Sequence, residues 1–436
     1  MLKACIYTLG CRVNQYESDA IMQELKENGV LIVGPNENCD ICIINTCSVT
    51  GESDRKSKQI IRRLSSKNPN AVTIVTGCYS QINPKDAMSI EGVSLVCGNN
   101  DKSIIAKKAL ELVKGNAPEC QLIMSDIYSG KFDSMSVGAP LTRTRAFIKI
   151  QDGCNSKCAY CIIPYARGSV RSDTVENILA EANRIVCEGC QEIVLTGIET
   201  AAYGKDLKIK HSLGDLLLEV SKIPGLKRIR LGSLDPSAIT KEFVDKIKTI
   251  DKVMPHFHIS MQSGCTKTLN EMKRKYNIQM AQRNLHYLKE CIPSLMLSAD
   301  VITGFPNESD EDFKETLSFF EKERFLHLHI FPYSKRAGTP AATMKNQVLE
   351  NIKKERLHML ESQQKAIKKE LLENFVLSNA KTEVLFESYD GEYISGHTPN
   401  FIEVKVKSDT PRGNEILTVK PTHTDGEYIY AEVISN

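Results

Sequence analysis

The chain has 436 residues, a formal net charge of +2, and 41% hydrophobic against 25% charged residues. That length exceeds one ordinary core, so two or three domains are expected, and the near-neutral charge excludes a globally basic nucleic-acid binder, leaving only local patches. No run approaches the roughly 20 apolar residues of a membrane helix, and the start MLKACIYTLGC shows neither a basic n-region nor a cleavable apolar segment, so a cytoplasmic protein without a membrane is expected. Fifteen cysteines in a reducing compartment point to metal binding or catalysis rather than to disulfides.

Residues 1–114 alternate short apolar runs (ACIYTLG, ICIINT, VTIVTG, VSLVCG) with amphipathic stretches such as QYESDAIMQELKENG and DRKSKQIIRRLSSKN. Such runs read as buried parallel strands, which predicts a small doubly wound α/β domain. Residues 115–142, broken by Gly, Pro and Ser, read as a linker. Residues 143–375 carry a second alternation, with candidate strands AFIKIQDG, EIVLTG, RIRLGS, HFHISMQS, LMLSADVITG and FLHLHIFPYS. These predict a partial (β/α)6 TIM-type barrel, whose chemistry sits at the C-terminal strand ends. A Lys/Glu-rich helix near residues 345–375 closes this part. Residues 376–436 alternate apolar and polar positions, as in a small all-β barrel.

The stretch GCNSKCAYC begins where AFIKIQDG ends and holds Cys154, Cys158 and Cys161 in a C-x3-C-x2-C spacing. It is therefore the first β-to-α loop of the predicted barrel, at its catalytic face. Three thiolates can hold three irons of a 4Fe–4S cluster and leave the fourth iron open. An open metal position marks a site that binds substrate. A structural zinc is the other reading of this spacing. On this loop the motif resembles the radical SAM superfamily, in which the open iron takes the amino and carboxylate end of S-adenosylmethionine (SAM).

That resemblance implies further contacts. It places Glu199 of LTGIETAAYG at the SAM ammonium, and Ser233 of RIRLGSLDP and Gln262 of HISMQSG at the third and fourth strand ends. It places Asp300 and the backbone of Gly304, in SADVITGFP, beside the adenine. Arg167 of PYARG lies just past the cysteine loop, where it would meet a carboxylate or phosphate, and Tyr160 lies within the loop. Gly232 stands where the family more usually has serine.

Cys11, Cys47 and Cys78 follow ACIYTLG, ICIINT and VTIVTG, each just past the end of a predicted parallel strand. Ligands bind at that edge of an open α/β sheet, so these residues, 36 and 31 positions apart, form a second candidate triad. Among the other cysteines, Cys42 reads as a small core residue. The pairs Cys39/Cys42 and Cys187/Cys190 are C-x2-C spacings on no catalytic loop, a weak metal or redox signal. Cys5, Cys97, Cys120, Cys265 and Cys291 read as isolated. His256 and His258 alternate on one strand face, which suits a barrel interior.

The motifs TLGCRVNQYESD, NTCSVT, TGCYSQ, DGCNSKCAYCIIPYARG and DVITGFPNE are similar, over nearly the whole chain, to the radical SAM methylthiotransferases. The last barrel resembles their TRAM module. YTLGCRVNQYES and PHFHISMQSG are most similar to the MtaB type. The resemblance implies transfer of a methylthio group to C2 of threonylcarbamoyl-adenosine, next to the tRNA anticodon. It implies two 4Fe–4S clusters, the auxiliary one on Cys11, Cys47 and Cys78 for sulfur, and a second SAM as methyl donor. C2 of adenine is unactivated, so the cofactor carries the hard step, and thiolate ligands suit iron–sulfur clusters. An external electron donor of flavodoxin or ferredoxin type, a sulfur source and a monomeric enzyme are implied as well. The same chemistry on isopentenyl-adenosine tRNA or a ribosomal protein side chain stands as an alternative on sequence alone. So, in another class, does an iron–sulfur electron carrier or a non-catalytic RNA-binding protein.

For tRNA, the segment DRKSKQIIRRLSSKNP carries six Lys/Arg against one Asp, with Lys58, Arg62 and Arg63 on one helical face. TRTRAF and KRKY are expected to extend that patch. Residues 376–436 hold five Lys/Arg against ten Asp/Glu, the wrong sign for broad phosphate contact, so only a local face with Lys405, Lys407 and Arg412 is expected there.

Overall fold

The structure, a computed structural model, describes residues 1–115, 120–138, 144–208 and 211–434. The first part runs β1 (Lys3–Thr8), α1 (Arg12–Glu27), β2 (Leu31–Ile32), β3 (Ile41–Thr46), α2 (Gly51–Lys67), β4 (Val72–Gly77), α3 (Cys78–Ile82), α4 (Pro84–Met88), β5 (Val93–Cys97), α5 (Ile105–Lys114) and β6 (Gln121–Ile123). Its six strands form one sheet in the order β2-β1-β3-β4-β5-β6, with every pairing parallel. Every residue of β3 is buried, as a strand covered by helices on both faces must be. Side chains alternate between two cores with the strand period of two. Ile41 and Ile43 pack with Ala4, Ile21 and Ile105, whereas Cys42 and Ile44 pack with Ile60, Ile61 and Leu64 of α2. Each such aliphatic side chain contributes about 1.5–3 kcal/mol when fully buried.

The segment read as a linker is partly built into the fold. Gln121–Ile123 is the sixth strand, and Gly98 donates to Ile123 O at 2.9 Å. Beyond it, Asp133 accepts the N–H groups of Lys102 and Ser103 at 2.9 and 3.1 Å, and Tyr16 donates to Met135 O at 2.5 Å. Gly, Pro and Ser there give an irregular path, but the backbone groups find partners. Residues 116–119 and 139–142 of that stretch lie outside the described residues.

The second part runs β7 (Arg145–Asp152), α6 (Ile163–Arg167), β8 (Arg171–Ser172), α7 (Val175–Cys187), β9 (Glu192–Gly197), α8 (Leu213–Ser221), β10 (Arg228–Leu231), α9 (Lys241–Ile247), β11 (His256–Gln262), α10 (Thr266–Glu271), α11 (Ile278–Cys291), β12 (Met296–Thr303), α12 (Asp310–Glu323) and β13 (His327–Pro332). Sheets β10-β9-β7-β8 and β11-β12-β13 are joined by parallel bridges Ile229–Val253 and Leu234–Ile259. Six parallel strands thus follow one another in chain order, as the partial barrel requires. The short antiparallel β8 is an addition that the apolar pattern did not mark.

Helix α13 (Glu350–Leu377) then leads into a closed barrel of β14 (Thr382–Tyr389), β15 (Tyr393–His397), β16 (Glu403–Lys407), β18 (Ile429–Val433) and β17 (Ile416–Thr424). This barrel docks beneath the strand starts of the central one. Arg230 donates to Thr398 O and Pro399 O at 2.9 Å each, and Phe401 stacks between His256 and His397 at 4.6 and 4.3 Å. Among the described residues, no helix is long and apolar enough to cross a membrane.

Candidate iron–sulfur centres

The cysteine loop leaves β7 through Gly153, whose φ of +72° and a space where a Cβ would sit 1.9 Å from Ser169 O leave glycine as the residue that fits. Gln151 shapes the turn by donating to Asp152 O at 2.6 Å and Gly153 O at 2.7 Å, while its oxygen accepts the Glu199 N–H at 2.8 Å. Cys154, Cys158 and Cys161 are all half-buried on this irregular loop. Glu199 lies against it, with Oε2 2.9 Å from Cys154 Sγ and 3.3 Å from Ser156 Oγ. Burial, together with Glu199, pushes the Cys154 thiol up to about 12, and burial pushes Cys161 up to about 12.

On the other side lies Arg274, which the sequence reading placed on an RNA patch. Its Nη1 is 3.3 Å from Cys158 Sγ and 3.4 Å from Tyr160 OH, and its Nη2 donates to Asp235 at 2.7 Å and to Ser260 O at 3.0 Å. KRKY therefore gives its arginine to the cysteine loop. A basic dipeptide cannot announce that role, because the contact runs across more than a hundred residues of chain. Gln262 ends β11 at a bulge with φ +61°, and Ser233 is exposed past the end of β10. Gly232 has its own reason to lack a side chain, since a Cβ would lie 2.8 Å from Thr200 Oγ1.

Asp300 lies within β12 and Gly304 just past its end, and each has its own partner. The N–H of Gly304 donates to Glu308 at 2.7 Å, and Asp300 pairs with His258 at 3.1 Å inside the barrel.

The second triad gathers at the carboxyl edge of the first sheet. Cys11 precedes α1, Cys47 follows β3, and Cys78 opens α3. Gly10 sits against Cys47, where a Cβ would come within 3.0 Å of its Sγ. Asn14 laces the two loops by donating to Leu9 O at 2.7 Å and Thr46 O at 2.9 Å. Burial pushes the Cys47 thiol up to about 11, with Cys78 and Cys11 adding to it. Asn99 donates to Ala166 O at 2.8 Å and lies 3.8 Å from Cys78 Sγ, so it joins this site to α6, the helix that follows Cys161.

Beneath Cys78 lies a sealed charge network. Arg167 donates to Glu17 at 2.6 and 3.1 Å, to Asp152 at 3.0 Å and to Asn14 at 2.5 Å. Glu17 is also held by Lys102 and, at 3.3 Å, by Lys149. Burial opposes ionisation of Glu17, but Arg167, Lys102 and Lys149 outweigh it and hold the carboxyl well below its ordinary range. With Arg171 at 3.9 Å from Asp152, four cations here face two carboxylates, and Cys78 acts electrostatically on both Arg167 and Lys102. A surplus of buried positive charge beside three soft sulfur donors suits an anionic iron–sulfur group. Arg167 is thus corrected from a cofactor contact to a joint between the two halves. It does meet carboxylates, but they are the protein's own.

The basic surface is also narrower than expected. Lys58 pairs with Asp86 at 2.6 Å and lies over Tyr79, leaving Arg62 and Arg63 exposed on α2. In TRTRAF, Arg145 is tied to Glu192 and Glu387, and Arg143 lies outside the described residues. On the last barrel, Lys407 pairs with Glu392 at 3.8 Å, Arg412 with Glu415 at 3.3 Å, and Lys405 covers the Tyr428 ring at 3.8 Å.

Two family descriptions match the chain: Uncharacterized protein family UPF0004 over residues 3–98 and the Radical SAM superfamily over residues 148–320. The chain is 41% identical over 427 residues to Threonylcarbamoyladenosine tRNA methylthiotransferase MtaB of Bacillus subtilis (strain 168), covering 96% of this chain and 94% of that protein. It is 32% identical over 438 residues to tRNA-2-methylthio-N(6)-dimethylallyladenosine synthase of Clostridium botulinum (strain Langeland / NCTC 10281 / Type F), covering 98% and 94%. Among solved structures, the radical S-adenosylmethionine methyltransferase TsrM from Kitasatospora setae superposes with a TM-score of 0.56 at 14% identity, over 78% of this chain and 74% of that one, a likeness of fold alone. The enzymes of this family use a 4Fe–4S cluster and SAM, and the methylthiotransferases carry a second cluster. With the first relative matched along nearly all of both chains, this chain belongs to the radical SAM tRNA methylthiotransferases.

Proposed function

We propose that this enzyme adds a methylthio group to C2 of threonylcarbamoyl-adenosine in tRNA, with one cluster held by Cys154, Cys158 and Cys161 and the auxiliary one by Cys11, Cys47 and Cys78. The observation that carries this reading is that the two triads adjoin. Helix α3, which Cys78 opens, packs on α6, which follows Cys161, and Cys78 acts electrostatically on Cys161. A substrate carbon activated at one site therefore has a short path to a group held at the other. When bound, the clusters supply one-electron reduction of SAM and a site for sulfur.

The protein side chains hold and orient. Glu199, fixed by Gln151 at its backbone, presents a carboxylate beside Cys154 for the SAM ammonium. Arg274, fixed by Asp235, holds positive charge beside Cys158 and Tyr160. Gln262, Ser233 and the Gly304 backbone stay in the proposed SAM cleft as strand-end groups. Arg167, Glu17 and Asp152 keep the two halves in register, which preserves the spacing between the sites.

The domain division belongs to the same proposal: 1–114 for the auxiliary site, 115–142 as connection, 143–375 for SAM, and 376–436 as a TRAM-like barrel in tRNA contact. So do a flavodoxin- or ferredoxin-like electron donor, an external sulfur source, a monomeric state and a cytoplasmic location. The nucleoside assignment rests on the activity that names the Bacillus subtilis relative. The test is anaerobic incubation of the reconstituted enzyme with SAM, a reductant, and tRNA bearing threonylcarbamoyl-adenosine or isopentenyl-adenosine. Methylthiolation of the first nucleoside and not the second is the expected outcome; the reverse preference overturns the assignment.

A further inference from the structure

A third group of cysteines lies outside both sites. Cys5 and Cys42 are register partners on β1 and β3, and Cys39 sits in the loop that enters β3. Cys5 Sγ is 3.5 Å from Cys42 Sγ and 3.4 Å from Cys39 Sγ, and all three sulfurs fall within 4.8 Å of one another. About 16 Å of strand runs from Cys42 to Cys47, so this group lies toward the opposite end of the sheet from the auxiliary triad. Sequence alone paired Cys39 with Cys42 and left Cys5 isolated; the missing signal is the β1–β3 register, which only the fold supplies.

Three sulfurs this close suit one ion. Tetrahedral ligation at a Zn–S bond of about 2.3 Å sets neighbouring sulfurs about 3.8 Å apart. A four-iron cubane places its ligands on different irons, so its sulfurs spread wider. Cys5 and Cys42 are buried, whereas Cys39 is half-buried, which leaves one side of the group open to solvent. The entry loop is anchored, since Cys39 N–H donates to Asn68 at 3.2 Å just past the end of α2. Lys67, in the last turn of α2, acts electrostatically on Cys5 and Cys39. Three thiolates around a divalent ion carry one net negative charge, which a single lysine balances; around a monovalent ion they carry two.

We infer that Cys5, Cys39 and Cys42 form a mononuclear zinc site, with three thiolate ligands and water as the fourth. The ion clamps the entry of β3 to β1 beneath α2. Zinc here is independent of the two iron–sulfur sites and of the reading of the substrate.

The test uses the full chain with both clusters reconstituted, washed with chelator and then exposed to Zn2+. Metal analysis is expected to give one zinc per chain at undiminished iron. Cys39→Ala, at the half-buried position, is expected to lose that equivalent while keeping its iron and far-UV circular dichroism. Zinc-edge absorption of the wild type is expected to show three sulfurs and one oxygen. Cys5→Ser provides a second variant should Cys39→Ala fail to fold. No bound zinc in the wild type overturns the inference. So does unchanged zinc in a folded variant, or zinc that enters only as iron leaves.

Discussion

Replacing Glu17 by glutamine tests the buried joint between the two halves. The side chains of Glu17, Arg167 and Lys102 are 0% exposed and that of Lys149 is 1% exposed, so solvent does not screen the pairs. At an effective dielectric of 20, one pair at the observed 2.6 Å is worth about 6 kcal/mol before desolvation is counted. Removing one partner of such a pair destabilises by about 3–5 kcal/mol, because the charge left behind stays buried. Glu17→Gln leaves Asp152 alone to face four cations, Arg167, Lys102, Lys149 and Arg171, and should fall in that range. Arg167→Met leaves two carboxylates facing Lys102, Lys149 and Arg171, a smaller imbalance, and should lose less. The double variant should lose less than the sum by more than about 1 kcal/mol, since the two residues share one interaction. Urea unfolding of cluster-free protein, followed by near-UV circular dichroism, measures all three. A loss below about 1 kcal/mol for Glu17→Gln, the range of an exposed pair, would refute the network as the joint.

The two triads should be separable: Cys154→Ala should abolish 5′-deoxyadenosine formation and leave the iron of the auxiliary triad in place, whereas joint replacement of Cys11, Cys47 and Cys78 by alanine should leave SAM cleavage without a methylthio product, both read by mass spectrometry and iron analysis. Arg62→Gln with Arg63→Gln should weaken tRNA binding and flatten its salt dependence by a slope of up to roughly 0.9 per lost duplex phosphate contact; unchanged affinity beside lost binding on removal of 376–436 would move the tRNA surface to the last barrel. His256, half-buried against Phe401 with Arg230, His258, Arg12 and His397 around it, has its folded pKa held well below the ordinary 6.5 of a histidine, chiefly by desolvation. The unfolded chain then takes up the proton first, so this contribution is full above about pH 6.5 and is lost as pH falls below it, at up to about 1.4 kcal/mol per pH unit. Thermal melts of His256→Gln should show a weaker acid dependence than the wild type between pH 6.5 and 5, and parallel curves would count against that contact.

Local pattern carried the strands well, since β3, β4 and β9 coincide with ICIINT, VTIVTG and EIVLTG. Apolar runs bounded by Gly, Asn and Thr are what buried parallel strands require. The candidate triad Cys11, Cys47 and Cys78 and the loop opened by Cys154 stand just past strand ends, positions the strand pattern itself marks. What escaped was pairing across the chain. Glu17, Arg167 and Asp152 meet from three separate elements, and Lys102 from a fourth. Arg274 reads as one more basic residue until β11 and the cysteine loop bring it to Cys158. Gln121–Ile123 is too short to show a period of two beside its Gly- and Pro-rich neighbours, yet a sheet edge needs only three paired residues to extend.

Nucleoside analysis of total tRNA tests the proposed methylthiolation most directly. Tandem mass spectrometry of tRNA from cells lacking this protein should show threonylcarbamoyl-adenosine without its 2-methylthio derivative. Methylthio isopentenyl-adenosine should stay at its wild-type level, and the wild-type gene, but not its Cys154→Ala form, should restore the missing nucleoside. Undiminished 2-methylthio threonylcarbamoyl-adenosine in those cells, with loss of the isopentenyl derivative instead, would contradict the account.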